Sequence, residues 1–239
     1  MVAASYAKFR PTYPAEVLAF ILGQVPVKQC AWDCATGNGQ VAGVLADHFE
    51  AVYATDISRQ QLDNAVFKDN IFYSVQPAEQ TNFSRHQFDL ITVGQAIHWF
   101  DFGTFYNEVE RTLKDKGILA VIGYGPMRTE GELHDIIQHF YTAIVGKYWD
   151  AERKYIDELY ETIPFPFDEI GCPAFSIKYN WTIDELMGYL STWSAVGNYL
   201  KATGQDPIQI IIDNVRGAYK DVERIQFSFP VLLRIGKKR

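Results

Sequence analysis

Positive charge is in short supply: 22 Lys+Arg stand against 29 Asp+Glu, a formal net charge of −7 over 239 residues. A mean field of that sign opposes non-specific attraction to phosphate backbones, so no nucleic-acid partner is expected. Cysteine is scarce, with three residues. If Cys30 and Cys34 share a strand they lie ~13 Å apart at ~3.3 Å per residue, outside disulfide reach, and a reducing, cytoplasmic setting follows as the expectation. No run of ~18 apolar residues offers a membrane span, and the opening segment lacks the charged-then-apolar layout of a signal peptide. A soluble protein with no membrane partner is expected. There are no internal repeats or low-complexity stretches, and no metal site is assigned.

What is present is a globular mixture: 48% hydrophobic, 21% charged and unusually aromatic at 15%. Apolar spacing predicts a helix over 15–22, stopped by Gly23 and Pro26. Strands are expected at 30–34, 51–56, 71–75, 88–93 and 118–124. Between them fall helices over 40–45, from Ser58 through Val66, and from Asp101 or Thr104 to Leu113. Lys114 to Gly117 reads as a turn. Strands alternating with helices require crossover connections, so the fold class expected is α/β, a doubly wound, mostly parallel Rossmann-like sheet. Later, 132–145 and 151–160 read as helices, 175–181 as a strand, 182–193 and 206–215 as helices, and 226–235 as a closing strand, which gives seven strands and a C-terminal helical insertion. Ligands of such sheets lie beyond the carboxyl ends of the strands, so the residues just after each strand are the candidates.

Asp33, Gly37 and Gly39 form D-x-x-x-G-x-G at the turn leaving the first strand, where glycines let the backbone approach a ligand. Two nucleotide-type ligands use such a turn, a dinucleotide and S-adenosylmethionine. A pyrophosphate wants G-x-G-x-x-G, and that fingerprint tolerates Ala42, three residues after Gly39, so glycine spacing leaves both open. Asp56, at the end of the second strand, suits the hydroxyls of a ribose in either ligand. Asp33 separates the two, because a carboxylate one turn from the glycines repels a pyrophosphate but attracts the ammonium and sulfonium charges of S-adenosylmethionine. The same residue can instead tie down the amides of its own loop.

Trp32-Asp33-Cys34-Ala35-Thr36-Gly37-Asn38-Gly39, Ala54-Thr55-Asp56, Pro77-Ala78-Glu79 and Gln95-Ala96-Ile97-His98-Trp99-Phe100 resemble the successive motifs of class I S-adenosylmethionine-dependent methyltransferases. Tyr6-Ala7-Lys8-Phe9-Arg10-Pro11-Thr12-Tyr13-Pro14, Trp181-Thr182 and Thr192-Trp193-Ser194-Ala195 resemble the branch that includes trans-aconitate methyltransferase. The loop departs from the family's frequent Gly-Cys-Gly-Thr-Gly by carrying Cys34-Ala35 at its start. Pro77 stands where many relatives place an aspartate.

The resemblance implies one methyltransferase domain over 1–239: an N-terminal lid and helix (1–29), a cofactor-binding core (30–125) and a C-terminal part with substrate-covering helices and the last two strands (126–239). It implies a strand order of 3-2-1-4-5-7-6 with the final strand antiparallel. Gly37, Asn38 and Gly39 would face the methionine part of S-adenosylmethionine, Asp33 its amino group, Asp56 its ribose and Ile57 its adenine. Ala78 and Glu79 would meet the adenine amino group, Gln95 and Ala96 the methionine portion and the reacting centre, and Arg10 a carboxylate of the cofactor, of the substrate or of a structural acid. Tyr6, Tyr13, Trp99 and Trp193 are the candidate substrate contacts. His98 is the candidate catalytic residue, read either as a base for a phenol or amine or as a packed, positioning histidine. A carboxylate acceptor needs no base, since acids with pKa ~4 are already ionised. The function expected is methyl transfer to a small molecule, at a carboxylate oxygen. An NAD(P)-dependent oxidoreductase and a non-catalytic S-adenosylmethionine-binding protein are the alternatives.

Overall fold

The computed structural model describes residues 9–219 and 222–238. These residues fall into two compact units, each gathered from separate stretches of chain. One unit holds residues 13–124, 158–175 and the chain from 231 onward. The other holds the described residues before Tyr13, residues 125–157 and residues from 176 to 230.

The first unit is built on a sheet. β1 (Cys30–Cys34), β2 (Ala51–Asp56), β3 (Ile71–Val75), β4 (Phe88–Gly94) and β5 (Leu113–Tyr124) run parallel in the order β3-β2-β1-β4-β5. β1 and β4 read as near-continuous apolar runs because both faces of a parallel sheet are covered. On one face Trp32 is fully buried against Phe83 and Phe88, and its indole N–H donates to Thr55 Oγ1 at 2.9 Å. On the other, Ala31, Val52 and Leu90 pack with Val17, Leu18 and Ile21 of α1 (Ala15–Gly23).

The second half of β8 (Ile225–Lys237) lies antiparallel beside β5, from Val231 opposite Tyr124 to Lys237 opposite Ile118, so the closing strand takes the place the resemblance implies. The edge strand beyond it differs from the expectation. It is β6 (Asp168–Ile170), a three-residue strand after the Pro164–Phe167 connector. The strand read at 175–181 exists as β7 (Ser176–Trp181), but it pairs in the other unit with residues 225–230, the first half of β8. A closing strand of 13 residues is long enough to serve two partners in succession, and Pro230, with no N–H to give, marks the handover.

Local corrections have local causes. The helix after β2 is α2's successor in the chain: α2 (Gln40–Leu45) follows the glycine loop, and α3 (Arg59–Leu62) stops well short of Val66. Ser58 caps α3 as expected, but Val66 N–H donates to Asn38 O, outside any helix. Lys114 to Gly117 belong to β5, where the register against β4 shifts between Phe88 and Leu90 and Lys116 takes φ +63°. α4 (Phe102–Thr112) starts on Asp101, whose carboxylate accepts Thr104 N–H at 2.8 Å.

In the other unit, the helix read over 132–145 is α5 (Glu132–His139) followed by a π turn, Phe140–Ile144. The helix read over 151–160 is only α6 (Arg153–Asp157). α7 (Ile183–Ser191) begins at Thr182 with a reciprocal capping box to Glu185. α8 (Ser194–Thr203) and α9 (Ile208–Ala218) complete the unit.

Candidate active site

The carboxyl ends of β1, β2 and β4 carry the candidate residues. After β1 the backbone passes through left-handed angles at Ala35 (φ +53°), Gly37 (φ +58°) and Gly39 (φ +79°). Alanine adopts that region only with strain of ~1–2 kcal/mol, whereas glycine enters it freely. A Cβ on Gly39 would collide with the Tyr73 hydroxyl, which donates to Val66 O at 2.6 Å. Gly37 is different: a Cβ there would meet only open space. Gly39 is thus fixed by packing, and Gly37 leaves its backbone accessible.

Asp33 is 1% exposed. One of its oxygens accepts Thr36 Oγ1 (2.5 Å) and Ala42 N–H (3.1 Å), and the other accepts Thr92 Oγ1 (2.8 Å). Burial pushes its carboxyl up to about 6, against the pull of those hydrogen bonds. Of the two readings of this residue, the geometry supports the loop tie, which spans β1, the glycine turn and β4, in place of a hand held out to a ligand.

Asp56 is half-buried at the end of β2. One oxygen accepts Gly37 N–H at 2.9 Å and the other Ser58 N–H at 2.8 Å, which stretches the carboxylate across the mouth of the loop. A carboxylate has about four lone-pair sites, so each oxygen retains capacity for a further donor. The next residue, Ile57, is 77% exposed, an apolar side chain left in water beside an acid. Beyond β3, Ala78 is buried, and Glu79 accepts Asp101 N–H at 3.2 Å, which ties the β3 exit to the start of α4.

Gln95 leaves β4 at φ +52°. Its side-chain amide is fastened to the next strand, accepting Tyr124 N–H at 2.7 Å and donating to Tyr124 O at 3.3 Å. A non-glycine residue held in this region at a strand exit is the kind of strain that clusters at binding sites. Ala96 is buried, and a single 3₁₀ turn, Ile97–Trp99, follows. His98 in that turn is 5% exposed, whereas Trp99 is 55% exposed with its ring centroid 5.0 Å from that of His98. His98 Nδ1 lies 3.1 Å from the hydroxyl of Tyr160. Tyr160 was hidden in the sequence at the end of an expected helix, and nothing in its neighbours announces it.

The remaining candidates are scattered. Tyr13 lies with the sheet, its ring against Gly94 and its hydroxyl donating to Ile122 O at 3.4 Å. Arg10 belongs to the other unit, where its Nη2 donates to Thr192 O at 2.8 Å beside Phe9, Tyr179 and Trp181. Trp193, read as a substrate contact, lies in the core of that unit: 5% exposed, it packs among Phe140, Tyr141, Trp149 and Tyr189, and its indole N–H has no hydrogen-bond partner among the described residues. Aromatics at helical spacing build cores more often than pockets, and here that tendency prevailed. Tyr6 lies outside the described residues.

A candidate methyltransferase of Dictyostelium discoideum is 34% identical over 247 aligned residues, covering 99% of this chain and 93% of its own. The chain belongs to the class I S-adenosylmethionine-dependent methyltransferases. The profile of the methyltransferase domain family matches residues 32–121, which runs from Trp32 in β1 into β5. A structure described as a candidate type II methyltransferase from Anaeromyxobacter dehalogenans superposes with a TM-score of 0.86 at 33% identity, covering 96% of this chain and 98% of that one. A candidate methyltransferase from Bacillus halodurans, 19% identical with a TM-score of 0.55 over 94% of this chain and 99% of that one, shares the fold. S-adenosylmethionine is therefore the cofactor of this methyltransferase. The family match runs from Trp32 in β1 to Val121 in β5, with the glycine loop, Asp56 and the Gln95 strip, and does not reach Tyr160, β6 or β8.

Proposed function

We propose that this methyltransferase acts on a small molecule bearing a carboxylate and forms its methyl ester. The observation that carries the reading is the state of His98, the titratable side chain in the strip after β4: it is buried, with one ring nitrogen held by the Tyr160 hydroxyl. An acceptor that must lose a proton needs a base at hand, whereas a carboxylate with pKa ~4 is already nucleophilic at neutral pH. The resemblance of residues 6–14, 181–182 and 192–195 to the trans-aconitate methyltransferase branch supports the same class of acceptor.

The residues present fit the cofactor. The open backbone at Gly37, together with Asn38 and Gly39, would receive its methionine part. Asp56, stretched across the loop by Gly37 and Ser58, would accept the ribose hydroxyls, and the exposed Ile57 would cover the adenine. Ala78 and Glu79 would border the adenine, and Ala96 the methionine side. When bound, S-adenosylmethionine supplies a methyl on a sulfonium sulfur, and transfer forms the C–O bond as the C–S bond breaks with its electron pair left on sulfur. The chain's own work is alignment and exclusion of water. Gln95, locked to Tyr124, fixes the β4 exit beside the loop. Trp99, with 55% of its surface exposed, and Tyr13 are the sheet unit's candidate walls for the acceptor.

The test is methyl-labelled S-adenosylmethionine with a panel of mono-, di- and tricarboxylic acids, phenols and amines, followed by mild alkali. Methyl esters release labelled methanol under alkali, whereas methyl ethers and amines do not. Alkali-labile product from the acids alone is the expected result. Alkali-stable product from phenols or amines would replace the carboxylate reading.

A further inference from the structure

The segment around Tyr160 is built with more care than a connector requires. Leu159 and Tyr160 are consecutive non-glycine residues at φ +54° and +63°. Each such residue costs of order 1–3 kcal/mol and persists where its surroundings over-determine it. Here they do. Arg234 in β8 donates to the carbonyls of Tyr160 (3.2 Å) and Ile163 (2.6 Å), grips both oxygens of Glu169 and lies over the Phe165 ring with its guanidinium carbon 4.5 Å from the centroid. The Tyr160 ring is fully buried against Gly123 of β5, where a Cβ would come within 2.7 Å of it and 3.1 Å of Gln95 Oε1. A strained turn, an arginine clamp and a missing side chain in the sheet converge on bringing one phenol hydroxyl to His98 Nδ1, 62 residues away in sequence.

A buried tyrosine hydroxyl needs a partner, and the two groups are unequal. The phenol, with pKa ~10, is the stronger donor, and the neutral imidazole, with pKa ~6.5, is the stronger acceptor. We propose that Tyr160 is a positioning residue of this site: its hydroxyl donates to His98 Nδ1, which leaves the ring proton on Nε2 and makes His98 a hydrogen-bond donor in place of a base. The inference deepens the carboxylate reading and rests on it for the identity of the group received: an Nε2–H suits an oxygen of the acceptor carboxylate and is useless for removing a proton from a phenol or amine. The nitrogen that accepts fixes the tautomer, and the tautomer fixes which chemistry the ring performs.

The experiment is long-range ¹⁵N–¹H spectroscopy of the imidazoles in the full-length, ¹⁵N-labelled protein near neutral pH. His98→Gln identifies the His98 signals among the five histidines by their loss. The expected pattern is a pyridine-like Nδ1 and a protonated Nε2, shifting toward the other tautomer in Tyr160→Phe, a variant that keeps the buried ring. A wild-type signal from the Nδ1–H tautomer, or a tautomer unmoved by Tyr160→Phe, overturns the proposal. Neither reading depends on knowing the acceptor, so failure here is distinct from failure of the ester assay. With an acceptor in hand, glutamine at position 98 places an N–H near the Nε2 position and asparagine near the Nδ1 position. His98→Gln should retain kcat within about tenfold, while His98→Asn loses about 10²-fold, each with S-adenosylhomocysteine affinity unchanged. Equal loss in both variants would mark His98 as a base and sink the donor role.

Discussion

The carboxyl ends of β1 and β2 each present an aspartate to the same glycine loop, and the two aspartates are put to opposite uses. Asp33 is closed in, with its oxygens engaged by Thr36, Ala42 and Thr92. Asp56 takes one backbone N–H on each oxygen and stays half-exposed. What separates them is the supply of donors: the chain surrounds Asp33 with three donors of its own, and gives each oxygen of Asp56 a single backbone N–H, which leaves further lone pairs on both. An acid near a glycine loop is therefore assigned by how fully its own fold satisfies it. Distance from the loop does not decide.

Removing the first carboxylate should damage the fold. Asp33→Ala strands the buried Ala42 N–H and takes an acceptor from the Thr36 and Thr92 hydroxyls, at ~1–3 kcal/mol for an unsatisfied buried group, so a loss of about 3 kcal/mol in urea-unfolding stability is expected. Asp56→Ala, whose stranded amides reach water, should stay within ~1 kcal/mol of wild type in the same assay. Equal losses would erase the distinction. Gly39→Ala comes next, at about 2 kcal/mol for the left-handed angle and the collision with the Tyr73 hydroxyl. Adding Tyr73→Phe removes the oxygen it strikes, and a double-mutant cycle should return about 1 kcal/mol of that loss.

The smallest effect is in pH. Because burial raises Asp33 from the ordinary carboxyl value of 3.8 to about 6, the folded protein holds a proton between those values that the unfolded chain releases. Stability from this group therefore falls as pH rises through that window, and wild type should gain about 1 kcal/mol on going from pH 7 to pH 5 relative to Asp33→Asn. Glu108 and Glu169, whose carboxyls are held below their ordinary value by hydrogen bonds from an arginine, titrate alike in both proteins and cancel in the difference. A difference of opposite sign in parallel denaturation curves would contradict the burial of an ionisable Asp33.

The same contrast explains what the sequence discloses. β1 to β4, the glycine turn, Asp56 and the caps at Ser58, Asp101 and Thr182 are written in residues a few positions apart, and local patterns reach them. The two roles of Asp33 could not be separated in sequence, because Thr92 arrives from another strand. Tyr160 meets His98 through a turn held by Arg234, and β6 exists only because β8 lies beside it, so no local pattern marks either. The packing of Trp193 is hidden for a related reason: its neighbours Phe140, Tyr141 and Trp149 come to it from stretches distant in the sequence.

Calorimetric titration of the wild-type protein and Asp56→Ala with S-adenosylhomocysteine tests the site most directly. The wild type should bind, and Asp56→Ala should weaken binding by ~1.5 to 3 kcal/mol, about tenfold to a hundredfold, the value of a hydrogen bond to a charged group. Unchanged affinity in Asp56→Ala would remove that carboxylate from the cofactor site and contradict the assignment built on it.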